Sequence, residues 1–328
     1  MAVIPKDEKG IALILTITLI GLIVILTMQF SKSIRSGLYE TANFDDGIRL
    51  GAIAKSGFNC AMAVLYEDGA DVDSLNDDWA SLNQYSSYSA ALFDNGGRFE
   101  TQVADLAGKI QINRLIINTG EKKGEYNEKQ KELLIRLLKL PAFNLEEDQA
   151  NDILDAIKDW IDEDDKTTSF GAEDSYYQSL ERPYSCRNAT FESLDELLLV
   201  KGITSELFYG TDDTPGILDY LTVQGDGRIN INTADPLVLE ALSDDLDSTM
   251  VGEMVEYRGN DKNDLDKPDW YKSALGTSED YIDATLITTK SSYFEITSRG
   301  VRDERIKGVT GVVRRSGKTI TVLSWQMF

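Results

Sequence analysis

The chain has 328 residues and a formal net charge of −23, with 33 Lys and Arg against 56 Asp and Glu. It contains no histidine, which excludes Ser-His-Asp and Cys-His catalysis, His-ligated zinc and an imidazole pH switch. The acidic balance disfavours tight non-specific binding of nucleic acid and docking on anionic lipid, because both need Lys and Arg.

The first predicted element is a membrane-spanning helix. Residues 11–31 carry no charge, and as a helix at about 1.5 Å per residue they span about 30 Å, the core of a bilayer. A cleaved secretory signal fits poorly, because the apolar run exceeds the usual ~7–15 residues and no A-x-A-like site follows. A buried core helix is disfavoured because the segment is apolar on every face. Lysine and arginine flank the span evenly, so charge leaves its orientation open.

The helix is predicted to continue beyond the membrane. From Ser31 to Tyr66 there is no proline, and apolar residues recur at spacings near 3.6. The run Glu67-Asp68-Gly69 predicts its end.

The N-terminal pattern resembles type IV prepilins and pseudopilins: a short charged leader ends in Lys9-Gly10, and Ile11 opens a long hydrophobic helix. The resemblance implies that a prepilin peptidase cuts between Gly10 and Ile11 and methylates the new N-terminus. Most pilins have Glu at the fifth mature residue, where this chain has Leu15. A carboxylate in lipid is costly unless it is paired, and a subunit with no neighbour ahead of it has nothing to pair it with. The loss of this Glu is typical of the K-type minor pseudopilin of type II secretion systems, which sits at the filament tip.

The middle of the chain changes from strands to helices. Residues 97–118 alternate in polarity and are predicted as β-structure. A helix is predicted over Glu128–Leu140. Asn144 and Glu147 are predicted to form a capping box for the next helix, which has an apolar stripe over 150–161.

That helix leads into the densest group of acids, with twelve carboxylates against two lysines over 146–174. With Asp162 at position 1 of an EF-hand loop, Asp164 falls at position 3 and Glu173 at position 12. A lysine and a threonine occupy positions 5 and 6, so the pattern indicates an irregular calcium site. The alternative is a solvated acidic face. Apolar neighbours should anchor the segment near a core, where carboxylates repel one another unless a cation neutralises them, and a hard cation suits oxygen ligands better than zinc does.

The phrase DWIDEDDKTTSFGAEDSYYQSLERPY over 159–184, with SLDELLLVKGI over 193–203, resembles the inserted helical domain of the K-type pseudopilin. That domain binds calcium in known members. The resemblance carries this role to the following candidates: Asp162, Asp164, Glu173 and Asp174, with Asp159 as a further one.

A competing resemblance is to helix-hairpin-helix DNA-binding domains, including those of membrane-anchored DNA-uptake receptors. It rests on the turn at 200–203 and on the segment 229–258. Such hairpins bind phosphate through a Gly-containing turn at a helix N-terminus. The second turn, 243–247, has no glycine and three carboxylates, which would repel phosphate. We therefore interpret these elements as helix-packing modules and expect no nucleic-acid partner; a membrane-anchored DNA-binding protein is the alternative.

The C-terminal segments are predicted as antiparallel strands over 293–301, 306–314 and 318–326, with a hairpin turn at 315–317. Alternation in the last strand predicts that one of its faces is buried.

The predicted fold is therefore α+β and pilin-like, with a long N-terminal helix packed on an antiparallel sheet and a large, mostly helical insertion. The predicted divisions are the leader 1–10, the transmembrane part 11–31, the first part of the pilin-like domain 32–119, the inserted domain 120–285 and the C-terminal strands 286–328.

Cys60 lies on the long helix and Cys186 in a loop. If the bulk of the chain is extracytoplasmic, a disulfide between them is possible, and two free thiols are the alternative.

The resemblance implies a structural subunit rather than an enzyme, and we find no nucleophile elbow, P-loop or dinucleotide fingerprint. Its implied place is the inner membrane, crossed once, with the bulk of the chain in the periplasm. The implied partners are the other minor pseudopilins of the tip complex, the prepilin peptidase and the inner-membrane secretion platform. The implied role is to help initiate pseudopilus assembly and push exoproteins across the outer membrane.

Overall fold

The structure, a computed structural model, describes residues 8–69, 71–93 and 96–328. Most of the predicted leader, residues 1–7, lies outside the described residues. The first element is a single helix, α1 (Glu8–Glu67), which at about 1.5 Å per residue is roughly 90 Å long. It ends where the sequence predicts. By length and composition it is apolar enough to cross a membrane, and its apolar N-terminal part is exposed.

A four-stranded antiparallel sheet packs against the C-terminal third of α1. Its strands are β1 (Arg98–Asp105), β6 (Tyr293–Arg302), β7 (Arg305–Ser316) and β8 (Thr319–Met327). They lie in the order β1-β6-β7-β8, so the strand that precedes the helical region pairs with the first of the three strands that follow it. The three C-terminal strands therefore form as predicted, each within two residues of the predicted ends.

The first hydrophobic core lies between α1 and this sheet. Ala54, Phe58, Ala61 and Leu65 recur on one face of α1, as the helical repeat requires, and all are buried. They pack against side chains of the sheet and against Trp79, whose ring meets that of Phe294 edge-on at 5.3 Å between centroids.

Close contact between α1 and the sheet depends on glycine. A Cβ at Gly57 would lie 2.3 Å from the Ser298 Oγ and 2.5 Å from the Thr101 Oγ1, which are hydrogen-bonded to each other. A Cβ at Gly300 would lie 2.1 Å from the backbone oxygen of Leu50. The helix and the sheet backbone thus approach more closely than any side chain would allow.

The second and larger core belongs to the helical region, where apolar residues between Ile110 and Ile287 pack together. Two short pairs of parallel strands connect distant segments of this region. β2 (Ile110–Gln111) pairs with β3 (Leu221–Thr222), and β4 (Ile229–Asn230) pairs with β5 (Ile287–Thr288). The helices are α2 (Ser86–Ser89), which precedes this region, then α3 (Glu128–Lys139), α4 (Glu147–Ile161), α5 (Asp174–Tyr177), α6 (Ser205–Tyr209), α7 (Pro236–Glu240), α8 (Ser248–Arg258) and α9 (Tyr271–Ala274).

Residues before 120 already contribute to the second core, because Ile110, Ile112 and Leu115 are fully buried in it. Of the predicted strand region 97–118, only β1 joins the main sheet. The division of the chain at 120 and 285 stays a prediction.

The start of α4 differs from the predicted capping box. Asn144 adopts a left-handed backbone, with φ of 51°, in the turn after α3. The cap is Glu146, whose side chain accepts a hydrogen bond from the backbone of Gln149 while the Gln149 side chain accepts one from the Glu146 N–H. The prediction was wrong because the turn uses Asn144 for its tolerance of positive φ rather than for its side-chain oxygen.

Strand β8 also differs from expectation. Its alternating pattern predicts one buried face, yet only Ile320, which is half-buried, reaches the first core, and the rest of the strand is exposed. The reason is its position: β8 is the last strand of the sheet, where α1 reaches it only at a few points such as Met327 beside Gly51.

A buried polar network joins the two cores. The Asp105 carboxylate, at the end of β1, accepts hydrogen bonds from the Ser291 hydroxyl at 2.5 Å, the Thr233 hydroxyl at 2.6 Å and the Asn230 amide at 3.1 Å. Ser291 also donates its N–H to Asp73, at 2.7 Å, and Asp73 pairs with the buried Arg315 of β7. These groups connect the main sheet to β4 and to the chain that re-enters the sheet.

We expect Gly57→Ala and Gly252→Ala to change stability in opposite directions. Both glycines lie in helices, but a Cβ at Gly252 meets nothing within 4 Å. Overpacking at Gly57 should cost about 1–3 kcal/mol, whereas Gly252→Ala should stabilise α8 by about 0.5–1 kcal/mol. Thermal unfolding of the two variants would measure both, and a rise in melting temperature for Gly57→Ala would contradict the close packing.

Candidate cation site

The acidic segment is held by apolar anchors, as the sequence suggests. Trp160 and Ile161, at the end of α4, and Tyr177, in α5, are buried in the second core. The rings of Trp160 and Tyr177 meet edge-on with centroids 5.1 Å apart. The end of α4 is thereby fixed beside α5, and the acidic loop lies between them in the chain.

Three of the predicted candidates meet at this point. One carboxylate oxygen each from Asp162, Asp164 and Glu173 can be chosen so that all lie within 4.8 Å of one another. Asp162 is 2% exposed and Glu173 is 3% exposed, whereas Asp164 reaches the surface. Two buried carboxylates and one exposed carboxylate therefore face the same small volume.

Several buried oxygens at this site have no hydrogen-bond partner among the described residues. They are both oxygens of Glu173, the Oδ1 of Asp162 and the Oδ1 of Asn188. An unpaired buried polar atom costs free energy, and the cost is larger for a charged one. A cation that binds oxygen ligands would provide the missing partner for these four oxygens.

Burial and mutual repulsion of the carboxylates raise the pKa values of the buried acids at this site. Burial, followed by the negative charges of Asp159, Asp162 and Asp165, raises the pKa of Glu173 to about 7. Burial also raises the pKa of Asp162, although its other oxygen accepts a hydrogen bond from the Lys158 ammonium at 2.9 Å. Lys158 pairs with Asp162, and the exposed Lys166 lies 3.7 Å from Asp164, but no described lysine or arginine pairs with Glu173.

The other two candidates hold the loop rather than join the group of three. Both oxygens of Asp159 accept from the N–H of Thr168, at 3.0 and 3.1 Å. A Cβ at Gly171 would lie 2.1 Å from Asp159, so the loop closes over this carboxylate only with glycine there. Asp174 accepts from the Cys186 N–H at 3.0 Å.

Asn188 was not among the residues chosen from the sequence. Its amide nitrogen donates to Asp165, at 2.9 Å, and it adopts a positive φ of 47°. These features place it at the edge of the acidic segment although it lies 15 residues beyond Glu173 in the chain. In the sequence, the only indication of Asn188 was its position shortly after the acidic segment 159–184.

The carboxylates of a second acidic group, Asp68, Asp73 and Asp77, already have ion-pair or hydrogen-bond partners, and none of their oxygens is among the unpartnered buried atoms of the described residues. Arg315 pairs with Asp68 at 2.9 Å and with Asp73, and Asp77 accepts hydrogen bonds from the Ser74 N–H and the Trp79 indole. We therefore do not regard this group as a cation site.

Both cysteines are free thiols in the structure. Cys60 is exposed on α1, and Cys186 lies beside the acidic segment, where its thiol donates to the backbone oxygen of Asp159 at 3.6 Å. Burial raises the pKa of Cys186 to about 12.

The second hairpin-like turn ends in a cap made by the chain itself. Asp247 accepts from the N–H groups of Thr249 and Met250, both at 2.9 Å, at the start of α8. A carboxylate thus occupies the position where a phosphate would bind in a DNA-binding hairpin. The geometry favours the helix-packing interpretation, and the absence of nucleic-acid binding stays a prediction.

Comparisons with known proteins agree with this architecture. Residues 108–210 match a family model described as "Type II secretion system (T2SS), protein K". The chain is 29% identical over 211 residues to a type II secretion system protein K of Aeromonas hydrophila, covering 62% of this chain and 61% of the relative. It is 25% identical over 204 residues to a putative type II secretion system protein K of Escherichia coli K12, covering 62% of this chain and 60% of the relative. The chain thus matches about three fifths of the length of these relatives.

A solved structure shares the fold over most of the chain. It is described as the crystal structure of the GspK-GspI-GspJ complex from the type 2 secretion system of enterotoxigenic Escherichia coli. The match has a TM-score of 0.62 at 20% identity and covers 88% of this chain and 99% of that chain. The predicted α+β, pilin-like fold is confirmed.

Proposed function

Because this chain belongs to the type II secretion system protein K family, we propose that it is a structural minor pseudopilin at the tip of the type II secretion pseudopilus. The observation that carries this proposal is the continuity of one apolar helix, α1, from a membrane-spanning length into the core beneath the sheet. In this role the chain helps to initiate assembly, and the growing filament pushes exoproteins across the outer membrane.

Two features support the tip position. The helical region has its own core, larger than the one beneath the sheet, and this bulk would not fit between neighbours in a regular filament. In addition, the fifth residue after the proposed cleavage point is Leu15, which is exposed on α1. A subunit with no neighbour ahead of it needs no carboxylate at that position.

The proposed partners follow from the same role. The other minor pseudopilins of the tip complex come first, since the solved structure that shares this fold is a complex of three secretion proteins. The prepilin peptidase would process the chain at Gly10 and Ile11 and methylate the new N-terminus, and the inner-membrane platform would extract it. The bulk of the chain would lie in the periplasm.

We propose further that the acidic segment binds calcium. Asp162, Asp164 and Glu173 would supply carboxylate ligands, and the amide oxygen of Asn188 fits the same chemistry. Asp159 and Asp174 would support the site by holding the loop closed. Calcium bound there would neutralise the clustered carboxylates, so the end of α4, the loop and α5 would be fixed to one another.

Gly10→Phe should block processing. The peptidase recognises the glycine before the cut in proteins of this pattern, so the bulky variant should accumulate with its leader intact. The mass of the purified protein would show this, and Gly21→Phe, within the same helix, is the matched control that should still be cut. A Gly10→Phe protein that begins at Ile11 would contradict the proposal.

Leu15→Glu should reduce assembly with the other minor pseudopilins. An unpaired carboxylate in the membrane costs about 2.5–3.5 kcal/mol, enough for a loss of about a hundredfold. Co-purification of the partner subunits would measure the loss, with Leu15→Ala as the control that should assemble normally. Full assembly of Leu15→Glu would mean that a neighbour pairs with it, which contradicts the tip position.

Calcium should bind and stabilise the protein after chelation. At a calcium concentration of 100 times the dissociation constant the gain is about 2.7 kcal/mol, which should raise the melting temperature by about 5–10 °C. Calorimetric titration should give a dissociation constant of about 10⁻³ M or tighter. An absence of both heat and thermal shift would refute the site.

Glu173→Gln provides the sharper test, because its effect should change sign with calcium. Without calcium the substitution removes a buried charge from a repelling group and should raise the melting temperature; with calcium it should abolish most of the stabilisation. Asp152→Asn is the matched control, since Asp152 is an exposed acid on α4 that does not belong to the group of three. The proposal fails if Glu173→Gln and Asp152→Asn respond to calcium alike.

A further inference from the structure

The outer edge of β8 is open. In the sheet order β1-β6-β7-β8 no described strand lies beyond β8, and β8 pairs only with β7. Backbone N–H and C=O groups along the free side of such a strand lack ladder partners and can pair with another chain. The opposite edge differs, because α2 and the short helical turns beside it (residues 82–92) lie against β1, where the Phe99 N–H donates to Ser89.

β8 lacks most of the devices that protect an edge strand. Residues 319–328 read TITVLSWQMF and contain no charged residue, proline or glycine, in a chain that is 27% charged. Natural edges are usually blunted by charges, prolines, bulges or a covering element. Here there is one irregularity in register, opposite Val312 and Val313. The large apolar side chains at 322, 323, 325, 327 and 328 are each 40–52% exposed.

Two cavities flank the same strand on the side of the helical region. One, of about 550 Å³, lies between the sheet, at Val312 and Gln326, and the helical region, at Leu218. The other, of about 590 Å³, is lined by Leu323 and by Arg114 of the helical region. Ser324 lines both. The first cavity extends over the face of the sheet as far as Glu295 of β6, whereas the second meets the sheet at β8 alone. The second cavity therefore has room for side chains of an added strand, and such pockets are how extended peptides gain specificity at a sheet edge.

The two ends of β8 are basic in an acidic protein. Residues 286–328 contain eight Lys and Arg against three Asp and Glu, although the whole chain carries −23. Lys318 and Arg314 are exposed at one end of β8 and Lys307 at the other. β8 itself is uncharged and the rim at its two ends is positive, whereas Glu192 and Asp195 of the helical region line the cavity beside its middle. A complementary strand is therefore uncharged in its middle and acidic at its ends.

This charge pattern argues against a second copy of the chain as the occupant. Two β8 strands paired antiparallel would bring the Lys318 end of each against the Lys307 end of the other, where like charges repel. A lipid surface is disfavoured by distance. The Met327 side chain contacts α1 at Gly51, 20 residues beyond Ser31 and thus about 30 Å along the helix from the end of the uncharged span.

We propose that the free edge of β8 takes up an extended segment of another protein as a fifth strand of the sheet, with an uncharged centre and acidic ends. The proposal does not depend on calcium or on the tip position. It assigns to β8 a docking role that uses backbone hydrogen bonds for affinity and the rim charges for selection.

The test uses the full chain in detergent micelles and three labelled synthetic peptides. The first has alternating Thr and Val flanked by two Glu at each end, the second replaces Glu with Lys, and the third is the Glu peptide with alternate backbone amides N-methylated. We expect fluorescence polarisation to show binding of the first, at least about tenfold weaker binding of the second, and none of the third. The first peptide should also slow hydrogen exchange of the amides in 319–328.

Leu323→Asp should abolish binding of the Glu peptide, and Leu199→Asp is the matched control because Leu199 is equally exposed, at 44% against 43%, on the helical region. Melting temperatures check that both variants fold, and the comparison among peptides on the unaltered chain stands without them. Equal binding of all three peptides, or binding without protection of β8, overturns the proposal. So does a concentration-dependent dimer that protects β8 in the absence of peptide.

Discussion

The arrangement of the molecule depends on the buried Asp105 carboxylate and the groups that donate to it. Burial raises the pKa of Asp105, and the hydrogen bonds from Ser291, Thr233, the Ala107 N–H and Asn230 offset part of this rise. Because Asp105 ends β1, whereas Asn230 and Thr233 belong to the helical region and Ser291 to the chain that re-enters the sheet, these hydrogen bonds join the helical region to the sheet. A donor lost here would leave a buried acceptor unsatisfied, at a cost of about 1–3 kcal/mol or more.

Local pattern predicted those parts of the fold that local physics decides. The end of α1, the stripe of α4 and the three C-terminal strands follow from periodicity and from residues that stop helices. The exposure of β8 could not be predicted in this way, since alternation says that a strand has two unlike faces and not whether α1 is wide enough to cover one of them. The cap at Glu146 was missed because Asn144 suits both a cap and a left-handed turn, and only the path of the chain after α3 decides between them.

The acidic segment shows the same limit at the level of a site. Charge density and apolar anchors identified the segment, and spacing identified Asp162, Asp164 and Glu173, which the structure brings together. The sequence could not distinguish these from Asp159 and Asp174, because all five are carboxylates within 16 residues. The difference lies in which carboxylates already accept hydrogen bonds from the backbone. Asp159 accepts from the Thr168 N–H and Asp174 from the Cys186 N–H, whereas both Glu173 oxygens lack a donor among the described residues.

The unbroken course of α1 has a mechanical consequence. A rod of about 90 Å, pressed against the sheet without an intervening side chain at Gly57 and Gly300, leaves little compliance between its two ends. An axial displacement of the apolar N-terminal part of α1 would therefore be transmitted to the sheet, and through the Asp105 junction to the helical region. An advance of one helical turn, about 5.4 Å, would carry the whole distal mass forward by the same amount, as a piston head moves with its shaft.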